Sequence, residues 1–223
     1  MLKRLFDFIV SSIVLIPLLP VFTIIGIMIK RDSPGPVFYR GERVGRYGKP
    51  FRIFKFRTMV VDAEQRGGSS TGDDDPRITR IGRVLRKYKI DELPQFINVF
   101  LGQMSLVGPR PEVKRFVDMY NDKEKAILTV RPGITDWASI WNSDEGSVLE
   151  GSDDPDRAYA ELIRPEKIRL QLKYVTERSF LVDLQILFET VLKLFAQSTR
   201  SEPGNGEASS AATSSSPRKL SKQ

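Results

Sequence analysis

The sequence predicts an α+β chain, mainly helical, with an N-terminal membrane-inserted helix, amphipathic interfacial helices and a small strand element in a cytoplasmic domain. Three patterns predict it. An uncharged apolar run, Phe8 to Ile29, opens the chain. Helical periodicity with charged outer faces recurs over Arg77–Ile90 and Asp156–Phe195. Phe51 to Met59 alternates as a strand does. The expected division is residues 1–32 as the membrane helix, 33–196 as the cytoplasmic domain and 197–223 as a disordered tail. That tail is rich in Ser, Ala, Gly and Pro, which supply too little apolar surface to offset the entropy of ordering.

Composition narrows the chemistry. The chain of 223 residues carries 35 Lys and Arg against 28 Asp and Glu, a formal charge of +7. Such a balance favours anionic partners: phosphate ligands, acidic lipid headgroups or nucleic acid. There is no cysteine and no histidine. Thiolate nucleophiles, zinc–thiolate sites, Ser-His-Asp triads and histidine-ligated metals are therefore excluded. Acid–base or nucleophilic work falls to carboxylates, lysines, tyrosines and hydroxyls.

As a straight helix the run from Phe8 to Ile29 is roughly 33 Å long, enough to span the hydrocarbon core. Pro17 and Pro20 sit in its middle, where each removes a backbone donor and favours a kink. Both flanks are basic: Lys3 and Arg4 before, Lys30 and Arg31 after, then Arg40, Arg43, Arg46, Lys49 and Arg52. Positive flanks belong on the cytoplasmic side. A helix that enters, bends near Pro20 and returns satisfies both flanks; on these residues alone a simple span stays equally open.

Ser33-Pro34-Gly35-Pro36 is a rigid turn leading out of the membrane segment. In Phe51–Met59, Phe54 and Phe56 share one face, and Ile53, Lys55 and Arg57 the other, which reads as an exposed basic strand face. Gln65–Asp75 reads as a flexible loop. Asp73-Asp74-Asp75-Pro76 reads as a turn and helix cap, with metal binding as the lesser alternative. Ile78, Ile81, Val84, Leu85 and Tyr88 stripe a basic helix suited to an anionic surface, a core or a phosphate ligand. A second helix begins at Asp91-Glu92-Leu93-Pro94 and runs to about Leu101. Two prolines constrain Arg110 in Gly108-Pro109-Arg110-Pro111-Glu112, and a helix follows to Lys125. Trp137 and Trp141 suit the core, a headgroup layer or a stacked base. The helical stretch from Asp156 is expected to break near Pro165, and Leu184, Leu187, Phe188, Val191 and Phe195 stripe its end.

Asp91-Glu92 is the sharpest local candidate for chemistry. Taken singly the pair also reads as an N-cap and a first-turn acid. Its surroundings change that reading. Lys3-Arg4-Leu5-Phe6-Asp7, Lys55-Phe56-Arg57-Thr58-Met59, Asp75-Pro76-Arg77-Ile78-Thr79-Arg80, Asp91-Glu92-Leu93-Pro94-Gln95, Gly108-Pro109-Arg110-Pro111-Glu112 and Arg131-Pro132-Gly133-Ile134-Thr135 follow one another in order. In that series the chain closely resembles the bacterial sugar transferase family, the monotopic phosphoglycosyl transferases, over about Lys3 to Phe195.

The resemblance implies transfer of a sugar-1-phosphate from a UDP-sugar to polyprenyl (undecaprenyl) phosphate. UMP is released through a covalent phospho-sugar intermediate, Mg²⁺ assists, and the product starts lipid-linked glycan or exopolysaccharide synthesis. It implies a re-entrant helix broken at Pro20 and a catalytic domain on the cytoplasmic face of the bacterial inner membrane. Carried over, Asp91 is the nucleophile and a metal ligand, Glu92 completes the dyad, and Lys55, Arg86 and Arg110 contact phosphates. Such cations and a metal are what phosphoryl transfer requires. The partners implied are UDP-sugar, polyprenyl phosphate and membrane lipid, with no nucleic acid. Oligomeric state is left open. One departure stands out: where the family continues with Gly-Trp-Ala-Gln and an Asn-Gly-Arg-Asn turn, this chain has Asp136-Trp137-Ala138-Ser139 and no equivalent arginine. The sugar is therefore not specified. Two other classes are a membrane-anchored binding module without chemistry, which predicts that Asp91→Asn is harmless, and a nucleic-acid binder, which leaves Phe8–Ile29 without a purpose.

Overall fold

The computed structural model describes residues 2–68, 70–142 and 144–200. Helix α1 (Leu2–Asp32) contains the whole apolar run and stays helical through Pro17 and Pro20. It is long and apolar enough to cross a membrane. Leu5, Ile13, Ile16, Leu19 and Ile24 along it are exposed, so much of its surface has no protein covering.

Both ends of α1 dock on the same domain. At the start, Lys3 Nζ donates to Asp183 (2.5 Å) and to the Val107 carbonyl (3.0 Å). Arg4 donates to the carbonyls of Val99 and Phe100. Asp7 is buried and accepts from Ser105 Oγ (2.8 Å) and the Leu106 amide (3.1 Å). At the far end, Phe22 meets Phe56 edge-to-face with ring centroids 5.2 Å apart. Ile25 and Ile29 join Phe56 and Leu85 in one core cluster, and Asp32 accepts from the Ile81 amide (3.0 Å). Asp7→Ala strands a buried amide and hydroxyl. It should destabilise the fold by about 2 kcal/mol, read as a lower thermal midpoint in detergent; an unchanged midpoint contradicts this anchor.

The strand content is three two-stranded pieces. β1 (Phe38–Tyr39) pairs antiparallel with β4 (Lys55–Phe56), Phe38 opposite Phe56. β2 (Glu42–Val44) and β3 (Pro50–Arg52) form a hairpin closed by a 3₁₀ turn, Arg46–Gly48, with Tyr47 and Gly48 at positive φ. β5 (Ser105–Val107) lies parallel to β6 (Gly133–Thr135). Phe51 to Met59 is thus not one strand, because pairing changes partner between Arg52 and Lys55. The expected face also fails: Arg57 is 5% exposed. Its guanidinium donates to the carbonyls of Ser33, Pro34 and Pro36 (2.7–2.8 Å), locking the turn that leaves α1.

The helices are shorter than the periodicity suggests. α2 (Ala63–Arg66) is one turn. α3 (Arg80–Lys87) starts at Thr79, whose hydroxyl caps it by accepting from Gly82 N (3.0 Å), rather than at Arg77. Arg77 instead pairs with Asp75 (2.7 Å). α4 (Gln95–Phe100) follows a 3₁₀ turn, Ile90–Glu92. Between Val113 and Thr129 only α5 (Lys114–Val117) is α-helical, and Glu124–Thr129 is a 3₁₀ segment. α6 (Trp137–Trp141), α7 (Glu145–Leu149) and α8 (Pro155–Ala158) are short. A π-helical segment, Tyr159–Ile163, leads into α9 (Arg164–Glu177), then α10 (Phe180–Arg200). The α-helical bonding is thus interrupted just before Pro165, as expected, by a π-helical segment within a continuous helical run from Pro155 to Glu177. α10 runs past residue 197, and the rest of the expected tail lies outside the described residues. Leu184, Phe188 and Val191 on α10 are exposed, while Leu187 packs against the core; nothing is described of the Phe195 side chain. That core gathers Phe51, Ile53, Val99, Met104, Leu106, Val107, Tyr174 and Ile186, so it joins strands β3 and β5 to helices α4, α9 and α10.

Candidate active site

A wide cleft opens on the domain. Lys55, Arg86, Asp91, Glu92 and Arg110 all line it. Residues from four separate stretches of sequence thus meet, because β4, α3, the 3₁₀ turn and the loop after β5 converge there.

Asp91 is in the middle of the 3₁₀ turn, not at a helix cap. Lys89, just before it, has φ 55, a left-handed conformation that costs a non-glycine residue on the order of 1 kcal/mol. The chain accepts this strain where it turns from α3 to present Asp91. Asp91 is 7% exposed. Burial pushes its carboxyl above the usual range. Lys55 opposes that rise, the neighbouring Glu92 charge adds to it, and Arg86 and Lys89 oppose it further. Among the described residues none donates a hydrogen bond to this carboxylate.

Glu92 has a different environment. Its Oε1 accepts from Lys55 Nζ (2.8 Å) and from Arg110 Nη2, and its Oε2 accepts from Arg110 Nη1 (2.9 Å). The Arg110 contact is a two-pronged fork, the geometry that planar guanidinium and carboxylate groups favour. Burial pushes the Glu92 carboxyl up, but Arg110 and Lys55 outweigh it and hold it well below the usual carboxylate range. The Arg110 guanidinium is raised by the Glu92 charge against its own burial. Two adjacent acids are thus separated electrically: one charge is fully paired, while the other faces the cleft with its charge only partly compensated.

Of the three expected phosphate-binding cations, Lys55 and Arg110 are held by Glu92. Arg86, in the last turn of α3, forms no ion pair among the described residues, and its charge favours the ionised forms of Asp91 and Asp75. The Arg110 loop is stiff. Gly108 and Gly133 lie backbone to backbone, and a Cβ on Gly133 would overlap the Gly108 amide. This is why the Gly-Pro-Arg-Pro and Arg-Pro-Gly motifs each need glycine.

Magnesium is implied by the family and fits only in one form. Among the described residues no three acidic side chains cluster, and Asp75 is already paired with Arg77. Mg²⁺, however, is held in phosphoryl-transfer sites by one or two carboxylates plus substrate phosphates. The Asp91 oxygens, free of donors and facing the cleft, suit that arrangement. The Glu92 oxygens do not, since Lys55 and Arg110 occupy them.

Sequence reading missed three groups that shape the site. Asp136 and Gln171 are fully buried and hold the backbone of Arg110. Lys167 also lines the cleft, paired with Glu112 (2.5 Å). Of these only Asp136 had a signal, an Asp three residues before Ser139 as in a helix cap.

A family model described as bacterial sugar transferase matches residues 1–197. A UDP-N-acetylgalactosamine-undecaprenyl-phosphate N-acetylgalactosaminephosphotransferase of Aeromonas hydrophila is 40% identical over 195 residues, covering 85% of this chain and 43% of the relative. A UDP-glucose:undecaprenyl-phosphate glucose-1-phosphate transferase of Escherichia coli is 36% identical over 200 residues, covering 87% of this chain and 40% of the relative. The chain thus spans about two-fifths of the length of these two. Against a sugar transferase of Bacillus subtilis, 38% identical, coverage is 86% of this chain and 87% of the relative. With the family model matched over residues 1–197, the chain belongs to the bacterial sugar transferase family.

Proposed function

We propose that the chain is a phosphoglycosyl transferase that moves a sugar-1-phosphate from a UDP-sugar to undecaprenyl phosphate. The observation that carries this reading is the divided acid pair: Asp91 faces the cleft without a donor, while Glu92 is clamped by Lys55 and Arg110. The relatives' names supply the substrate class.

In the first step an Asp91 oxygen attacks the phosphorus that bears the sugar. The bond from that phosphorus to the bridging oxygen of the donor breaks, and UMP leaves with the electron pair. The product on the protein is an acyl phosphate, reactive enough to hand its group on. In the second step an oxygen of the lipid phosphate attacks the same phosphorus, and the Asp91 carboxylate is released. The Arg86 and Lys55 charges balance the negative charge of Asp91, and Lys55 and Arg110, which line the cleft, would meet the phosphate oxygens. Glu92, held ionised, keeps those two cations in place. A magnesium ion bound through Asp91 and the diphosphate would neutralise charge on the leaving UMP.

The acceptor is a lipid, so the site must meet the membrane surface. The attachment of both ends of α1 to one domain supports a re-entrant arrangement over a span, because a span separates its ends by the bilayer thickness. Basic flanks at both ends then favour the cytoplasmic face of the inner membrane for the domain. Purified protein given Mg²⁺, undecaprenyl phosphate and a panel of UDP-sugars should release UMP with at least one donor, as read by a coupled nucleotide assay. Silence across the panel defeats the enzyme reading and leaves the binding module in its place.

A further inference from the structure

Pro109-Arg110-Pro111 has one backbone donor, the Arg110 amide, because the flanking prolines have none. That amide donates to Asp136 Oδ2 (3.2 Å). The other carboxylate oxygen, Oδ1, accepts from the Ser139 amide and hydroxyl (both 2.7 Å), so it caps α6. Gln171 Nε2 reaches both Asp136 Oδ2 (3.3 Å) and the Arg110 carbonyl (3.4 Å). Asp136 and Gln171 are each 0% exposed.

The placement follows from β5 and β6. The last backbone bonds between their loops run from Gly108 N to Thr135 O and from Gly133 N to Pro109 O (both 3.0 Å). Beyond Pro109, among the described residues, no backbone bond ties residue 110 to them. Asp136, the next residue after Thr135, continues the pairing with a side chain. On the other side of residue 110, the guanidinium forks onto Glu92. A helix cap needs a single acceptor oxygen. The second oxygen therefore has another use, and it is directed at a loop that carries a site cation.

We propose that Asp136, supported by Gln171, is a positioning residue for Arg110: it fixes the backbone from which the guanidinium reaches Glu92 and the donor phosphates. This rests on the role given to Arg110 above. Displacing such a cation by a fraction of an ångström weakens transition-state contacts more than ground-state ones, so turnover falls while donor affinity largely survives.

The test uses the full chain in detergent with a UDP-sugar that it turns over. Asp136→Ser keeps one oxygen for the Ser139 amide and loses the one that meets Arg110. It should fold with its α-helical circular dichroism intact. We expect kcat to fall about 10-fold with KM for the donor changed less than about 3-fold. Combined with Arg110→Lys, Asp136→Ser should slow turnover no further, since both act through one group. Equal slowing in both backgrounds, or wild-type kcat in Asp136→Ser, overturns the positioning role. Wild-type kcat in Arg110→Lys overturns the role of Arg110, and this inference with it. Should Asp136→Ser fail to fold, Gln171→Met removes the second anchor alone. It should lower kcat about 3-fold with KM held, and unchanged kcat there counts as refutation.

Discussion

Asp91→Asn is expected to cut UMP release by about 10⁴-fold or more, because the amide keeps the shape of the side chain and removes the proposed nucleophile. The fold should not suffer. Burial already raises the Asp91 carboxyl above its usual range, so its charge is a cost to the native state at neutral pH. A neutral isostere relieves that cost, and the thermal midpoint should hold or rise, the pattern seen where an active site is built against stability. Mass spectrometry of protein trapped with donor alone should place a phospho-sugar on the peptide containing Asp91 and none in the variant. Wild-type turnover by Asp91→Asn, or an adduct on another residue, removes Asp91 from the reaction.

Lys167→Leu is expected to have the largest effect on stability. The lysine is buried, with Nζ at 2.5 Å from Glu112 and 3.0 Å from the Tyr159 hydroxyl, which itself donates to Glu112 (2.6 Å). Burial pulls the Lys167 ammonium down, but Glu112, Glu145 and Tyr159 outweigh it and hold it well above its usual range. For Glu112, burial acts upward, and Lys167 and Tyr159 bring it below the usual range. Removing the cation leaves a buried carboxylate with a single hydroxyl partner, which costs about 3–5 kcal/mol. The pH dependence should change sign. In the wild type the Glu112 pKa is lower folded than unfolded, so its contribution is present above about pH 4.5 and is lost as pH falls through the folded value. Without Lys167, burial is left to raise it, and acidification from pH 7 should restore stability to the variant. Urea melts at pH 7 and pH 5 read both effects; a variant that loses stability on acidification as the wild type does contradicts this account of the cluster.

Some of this was legible without coordinates. The Phe8–Ile29 run, the basic flanks and the Asp91-Glu92 pair are local properties, and local properties survive in sequence. The Phe51–Met59 strand was misread because alternation does not reveal that β3 and β4 pair with different partners. Arg57 looked like a surface cation; its burial depends on three carbonyls in a turn some twenty residues earlier. The parallel β5–β6 pair has strands of three residues, too short to show a period.

From the sequence alone came the long apolar N-terminal segment, the absence of thiol and imidazole chemistry, and the ordered motifs that point to phosphoryl transfer. These depend on which residues are present and on their near neighbours. Tertiary structure alone decided that Glu92 holds Lys55 and Arg110, that Asp91 is the acid left facing the cleft, and that Asp136 anchors the arginine loop. The reason is physical: a charge is defined by what surrounds it, and here the surroundings of residues 91 and 92 come from residues 55, 86 and 110, which only folding brings together.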